Sequence, residues 1–188
     1  MVWVQLFNIF LIFFVTLAIF PGLQANIMAT HEDFILTPKY FVPVMTYLIF
    51  NVFAFLGNIV PNWIRFPGPR WLCIPVLLRV LFIPLFMFCN YKPMVRTFPV
   101  YITSEWLYMF IGSFMAFTGG YYSSLVMMCV PRLVKPPQAP IAAMLATFFL
   151  VLGIVVGVNF TLVVSYVTEN CGPCTPLILL NATVDAQC

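Results

Sequence analysis

A chain of 188 residues in which 63% are hydrophobic and 7% are charged departs from soluble domains, where about 25% of residues carry charge. A water-soluble fold of this size keeps too much surface exposed to hide so much apolar side chain, so the bilayer has to serve as solvent. The net charge of +3 is too small and scattered for a nucleic-acid surface, and six cysteines in so apolar a chain do not read as a disulfide scaffold.

A helix needs about 20 mostly apolar residues to cross the hydrocarbon, and the spans follow from where charge is absent. Residues 1–30 carry none, which places a first span at 2–23. An alternative is a cleaved signal peptide, with an apolar stretch at 6–20 and a passable cleavage site at Leu23-Gln24-Ala25. The absent positive n-region argues against it. Twenty-five uncharged residues separate Lys39 from Arg65, giving a second span near 41–63. Arg79 is the only charge between Arg70 and Lys92, giving a third near 71–90. Charge-free runs then give a fourth near 106–127 and a fifth near 141–167.

The expected fold is therefore all-α: a polytopic membrane helix bundle of about five transmembrane helices over 1–167, with an external tail at 168–188. Pro21, Pro43, Pro61, Pro75 and Pro84 lie in or beside spans, where broken backbone ladders are tolerated if neighbours or a water-filled cavity satisfy the freed groups. Such interruptions suit a transporter, although membrane helices also simply tolerate proline.

An odd number of spans puts the termini on opposite sides. The N-terminal face then receives Arg65, Arg70, Arg132 and Lys135, against Lys39, Lys92 and Arg96 on the other. That margin favours a cytoplasmic N-terminus under the positive-inside rule. Asn181-Ala182-Thr183 is a glycosylation acceptor usable on the external side. Asn159-Phe160-Thr161 also matches, but lies within a span and reads as packing.

Arg79 stands eight residues into its span, where a charge costs at least about 2.5–3.5 kcal/mol. It is too deep to snorkel comfortably, which points to the bundle interior. Tyr47, Asn51 and Asn58 are spaced by four and seven and so share one helix face. They are either interhelical glue or the lining of a substrate path. Gly153 and Gly157 form a small-xxx-small pattern that close helix packing explains.

Cys171-Gly172-Pro173-Cys174 imitates a redox dithiol, but that chemistry needs a βαβ scaffold; a local disulfide is the simpler reading. His31-Glu32-Asp33 makes a poor metal cage from consecutive loop positions. With no phosphate-cradling loop and no nucleophile–base pair, an enzyme is not expected, nor is a metal or other cofactor.

Several runs in order resemble the equilibrative nucleoside transporter family. They are Tyr40-Phe41-Val42-Pro43 with Phe50-Asn51-Val52-Phe53-Ala54-Phe55-Leu56-Gly57, then Pro67-Gly68-Pro69-Arg70-Trp71. Arg79-Val80-Leu81-Phe82-Ile83-Pro84-Leu85 and Cys89-Asn90-Tyr91-Lys92-Pro93 follow. Gly120-Tyr121-Tyr122-Ser123-Ser124-Leu125 and Pro131-Arg132-Leu133-Val134-Lys135-Pro136 complete the set, so the match covers roughly 10–167. The resemblance implies the last five spans of an eleven-span, major-facilitator-like bundle, with a cytoplasmic N-terminus and an external C-terminus in the plasma membrane. The N-terminal half would then be missing, through a fragment, a truncated isoform or an incompletely read gene. Residues 168–188 do not resemble the family's short ending.

By the same resemblance the ligand path would include Phe20, Tyr47, Asn51 and Ile154. The family places an Asp and an Arg where this chain has Ala54 and Asn58. Losing both members is less surprising than losing one, because an unpaired buried charge is the costly case. The expected activity is facilitated diffusion of nucleosides or nucleobases by alternating access, with the site near the midplane between two halves. Asn51 and Asn58 would hydrogen-bond sugar or base, Tyr47 would be a stacking wall, and Arg79 and Ala54 would hold structural or gating positions. The expected partners are the substrate, the bilayer and the missing half, with no nucleic acid. The alternative is a non-transporting membrane fragment, or a regulatory half that pairs with another chain.

Overall fold

The computed structural model describes residues 2–27, 38–89 and 104–170. Among the described residues the regular structure is helical, in five stretches. The first is α1 (Val2–Ile19), followed by a 3-10 turn at Gln24–Asn26. The second comprises α2 (Pro38–Phe41), a π-helical turn at Val42–Leu48, α3 (Ile49–Ile59) and a 3-10 turn at Val60–Asn62. The third is α4 (Cys73–Leu78), a 3-10 turn at Arg79–Leu81 and α5 (Phe82–Met87). Then come α6 (Glu105–Cys129) and α7 (Ala139–Asn170), with 3-10 turns at Val130–Leu133 and Pro136–Gln138 between them. Val2–Asn26, Val42–Asn62 and Pro136–Glu169 are long and apolar enough to cross a membrane. Cys73–Met87 is shorter, and the 25 residues of α6 are diluted by Gly, Ser and Tyr.

Prolines set the irregularities. Pro43 has no N–H to return to the preceding turn, and the backbone widens there into the π turn. Pro84 cannot bond the Val80 carbonyl, and the helix tightens into its 3-10 segment just ahead of it. Pro21 ends α1 and leaves the Leu17 carbonyl without its i+4 donor. Thr161 of α7 replaces that donor from 144 positions away: its Oγ1 stands 3.1 Å from the Leu17 oxygen and 3.1 Å from the Ala18 oxygen. Gly22 makes room, since a Cβ there would overlap the Thr161 methyl. This is how a membrane bundle accommodates a broken ladder.

The helices pack in two close parallel pairs. Gly153 and Gly157 of α7 seat on α1, where added Cβ atoms would fall 2.5 Å from the Phe10 carbonyl oxygen and 2.6 Å from that of Phe14. Gly57 of α3 and Gly120 of α6 meet so closely that a Cβ on either would collide with the other helix's backbone, at Phe117 and Ala54. With lipid tails as apolar as leucine, such contacts hold by van der Waals packing rather than by a hydrophobic drive between helices. Helix α1 touches α4, α5, α6 and α7, and its Leu6, Ile9, Ile12, Val15 and Ile19 are buried. Outward-facing Leu78, Leu81, Leu162 and Val163 are exposed, as suits a surface solvated by lipid.

Side-chain ties fix which loops share an end. Gln5 Nε2 donates to the Pro69 carbonyl at 2.6 Å, and Tyr121 hydrogen-bonds the backbone of Ile64 and Phe66. The start of α1, the 63–70 loop and the 130–138 segment therefore lie together. At the opposite end the Thr46 and Tyr108 hydroxyls share a 2.8 Å hydrogen bond.

Candidate functional site

An aromatic and amide strip forms where α1 ends against the π turn and α3. The Phe20 ring stacks on Phe50 with centroids 3.8 Å apart and planes 3° apart. It meets Tyr47 edge-on at 5.5 Å and 69°. Tyr47 is 40% exposed, and Asn51 beside it is exposed, its Nδ2 donating to the Tyr47 carbonyl at 2.7 Å. Flat rings beside an amide can stack on a heterocycle and exchange hydrogen bonds with its edge.

The other predicted positions sit elsewhere. Asn58 is exposed and two turns beyond Asn51; its Oδ1 accepts from Ser124 Oγ at 2.9 Å, which joins α3 to α6. Ala54 lies at the same crossing, its carbonyl against Gly120. Ile154 is half-buried on the α1–α7 seam, between the two glycines. Its level matches residues 10–11 of α1, about 13 Å short of Phe20 at 1.5 Å per residue. The structure thus brings Phe20, Tyr47 and Asn51 together, puts Ala54 and Asn58 on the α3–α6 contact, and places Ile154 apart. The Asn181, Cys171–Cys174 and His31–Asp33 readings lie outside the described residues.

Arg79 is 2% exposed. Its Nη1 donates to the Met115 carbonyl at 3.0 Å and to Thr118 Oγ1 at 2.5 Å, and its Nη2 donates to Thr16 Oγ1 at 3.0 Å. The Phe82 ring lies 5.9 Å from the guanidinium carbon. Among the described residues Nε has no hydrogen-bond partner. The fork therefore ties the third helical stretch to both α1 and α6 through neutral acceptors, and Gly119 leaves it space. Beside it a cleft of about 330 Å³ is lined by Leu78, Leu81, Phe114 and Tyr122. Among the described residues no cluster of His, Cys, Asp and Glu could hold a metal.

Sequence reasoning missed Phe50 as a site residue and the threonines that receive Arg79, and it read Thr161 only as packing within its span. A signal existed for Thr16 and Thr161, each a hydroxyl set in a long apolar run. Phe50 was masked by being one of 21 phenylalanines.

Residues 1–168 match the nucleoside transporter family. The chain is 35% identical over 157 residues to equilibrative nucleoside transporter 1 of Homo sapiens, covering 82% of this chain and 34% of that protein. It is 33% identical over 150 residues to equilibrative nucleoside transporter 3 of Rattus norvegicus, covering 78% and 32%. With equilibrative nucleoside transporter 2 of Homo sapiens the identity is 30% over 162 residues, covering 85% and 35%. The chain spans about a third of the length of these curated relatives. An apolar all-helical bundle with this similarity is an integral membrane protein, and the chain belongs to the nucleoside transporter family.

Proposed function

We propose that these helices form one side of a path for facilitated diffusion of nucleosides or nucleobases, working by alternating access against a second set of helices. The observation that carries the reading is the strip of Phe20, Phe50, Tyr47 and Asn51. It combines stacking faces with a hydrogen-bonding amide. The close α1–α7 and α3–α6 pairs would be the rigid pieces that rock, with Arg79 bracing them and Ala54 marking their contact. Asn58 would act from the α3–α6 crossing, while Ile154 would reach the ligand only from a different depth.

The test is a chimera in which residues 1–167 replace the aligned segment of equilibrative nucleoside transporter 1 of Homo sapiens. Saturable uptake of labelled uridine or adenine at the cell surface is the expected result. Base–aromatic stacking contributes about 1–3 kcal/mol, so Phe20→Ala should lower uptake efficiency about fivefold or more at unchanged surface level, and Asn51→Ala, which removes a hydrogen bond of about 0.5–1.5 kcal/mol, about twofold or more. Normal surface level with no uptake of either compound would defeat the transport reading.

A second reading, a non-transporting membrane fragment or a regulatory half that pairs with another chain, is favoured by one observation. Ala54 offers no polar side chain, and Asn58 is already engaged by Ser124.

For orientation, we propose a cytoplasmic N-terminus and an external C-terminus in the plasma membrane. Asn181 is then expected to be glycosylated, with a deglycosylation shift on gels that disappears in Asn181→Gln. An unmodified Asn181 in a protease-protected tail would reverse the assignment.

A further inference from the structure

We propose that the end of the bundle holding the N-terminus carries a binding site for the headgroup of an anionic phospholipid, in the cleft between the 63–70 loop and the end of α6. The cleft measures about 250 Å³, and Arg65 and Arg132 line it from two different loops. Leu125, Met128 and Leu133 supply an apolar wall and Gly68 an open one. Among the described residues no acidic side chain lines it. Of the acids among the described residues, Glu105 opens α6 and Glu169 ends α7, so both stand at the opposite end.

The cleft is pre-shaped. The Tyr121 hydroxyl accepts from the Phe66 N–H at 3.1 Å and faces the Ile64 carbonyl at 3.1 Å, pinning the loop to α6. Arg65 is steadied by donation from Nε to the Pro61 carbonyl at 3.3 Å. A held loop has less entropy to lose when a ligand enters.

The surroundings identify the ligand. Trp63, Phe66 and Trp71, within two residues of the lining Arg65, Pro67 and Pro69 in sequence, are 77%, 76% and 67% exposed. Large aromatic side chains left outward beside arginines are the signature of a membrane–water interface. Guanidinium groups match phosphate oxygens in fork geometry, while the apolar wall suits the start of the acyl chains. An inorganic anion would have no use for that wall. Arg70 and Lys135 add positive charge on the same two loops.

The test uses the full 188-residue chain, reconstituted in symmetric phosphatidylcholine vesicles so that orientation in the cell does not enter. Tryptophan fluorescence is titrated with brominated phosphatidylglycerol and, separately, with brominated phosphatidylcholine. A preference of about 25-fold for the anionic lipid is expected, since each of the two arginines near a headgroup contributes about fivefold. It should fall to near parity in Arg65→Gln with Arg132→Gln, and persist in Lys39→Gln with Lys92→Gln, which removes equal charge elsewhere. Equal quenching of the unaltered chain by both lipids, or equal loss in both double variants, would overturn the site. Inorganic phosphate that cancels the preference, where chloride of equal ionic strength does not, would assign the cleft to free phosphate and overturn the lipid proposal. If the arginine double variant does not fold, Arg132→Gln alone should lower the preference about fivefold.

Discussion

Gly120→Val is expected to separate α3 from α6 and to leave little correctly assembled protein. The two helices approach through Gly57 and Gly120, and an added Cβ at 120 would overlap the Ala54 carbonyl and lie 3.0 Å from the Asn58 nitrogen. Both obstacles are backbone, so no rotamer change relieves them. Over-packing inside a well-packed core costs about 1–3 kcal/mol even where side chains can shift, and here a helix has to move instead. The movement also removes the Ser124–Asn58 hydrogen bond of 2.9 Å and loosens van der Waals contact along the pair. An effect near 3 kcal/mol would change the assembled fraction by about a hundredfold. Gly68→Val is the matched control, because no described residue lies within 4 Å of a Cβ there. Monodisperse yield and thermal midpoint of the purified chain measure the difference. A Gly120→Val protein as stable as Gly68→Val would show that α3 and α6 do not approach so closely.

The same pair shows where sequence is legible. Gly153 and Gly157 announce themselves by spacing on one helix. Gly57 and Gly120 carry no such mark, because each finds its partner 63 positions away. The charge-free runs report helices well, since a membrane helix satisfies its own backbone and needs only length and apolarity. They do not report the breaks inside the third stretch, where a 3-10 turn follows from Pro84 acting on the residues before it. Proline positions were visible, but Thr161 meeting the carbonyl that Pro21 frees is a tertiary fact. The site divides in the same way. Tyr47 and Asn51 follow from spacing within a helix, whereas the Phe20–Phe50 stack depends on how α1 ends against the π turn. Resemblance grouped Ile154 with them, yet it sits on the α1–α7 seam at another depth. Periodicity resolves faces of one helix; it is silent on the level at which two helices meet.

Arg79→Lys is expected to destabilise the chain far more than Arg79→Met, although lysine keeps the charge. In methionine the guanidinium's three hydrogen bonds vanish, yet few groups are stranded. Thr16 Oγ1 still donates to the Ile12 carbonyl at 2.7 Å, and Thr118 Oγ1 to that of Phe114 at 2.8 Å. Each threonine loses only an incoming donor. Interhelical hydrogen bonds in membranes average about 0.6 kcal/mol, and the change also removes the cost of holding a charge at that depth. The net loss for methionine should therefore stay within about 1–2 kcal/mol. Lysine fares worse because one compact ammonium cannot reproduce a planar fork that spans Thr16 on α1 and Met115 with Thr118 on α6. It keeps a buried charge with fewer acceptors, and each buried donor left unsatisfied costs about 1–3 kcal/mol, more when it is charged. Thermal midpoints of the purified chain should rank wild type close to Arg79→Met, with Arg79→Lys well below both. If lysine proves clearly more stable than methionine, water or lipid headgroups reach residue 79 and the arginine is solvated rather than held. Equal and severe losses in both variants would mean that the fork itself holds α1 and α6 together, and that its hydrogen bonds outweigh the cost of the buried charge.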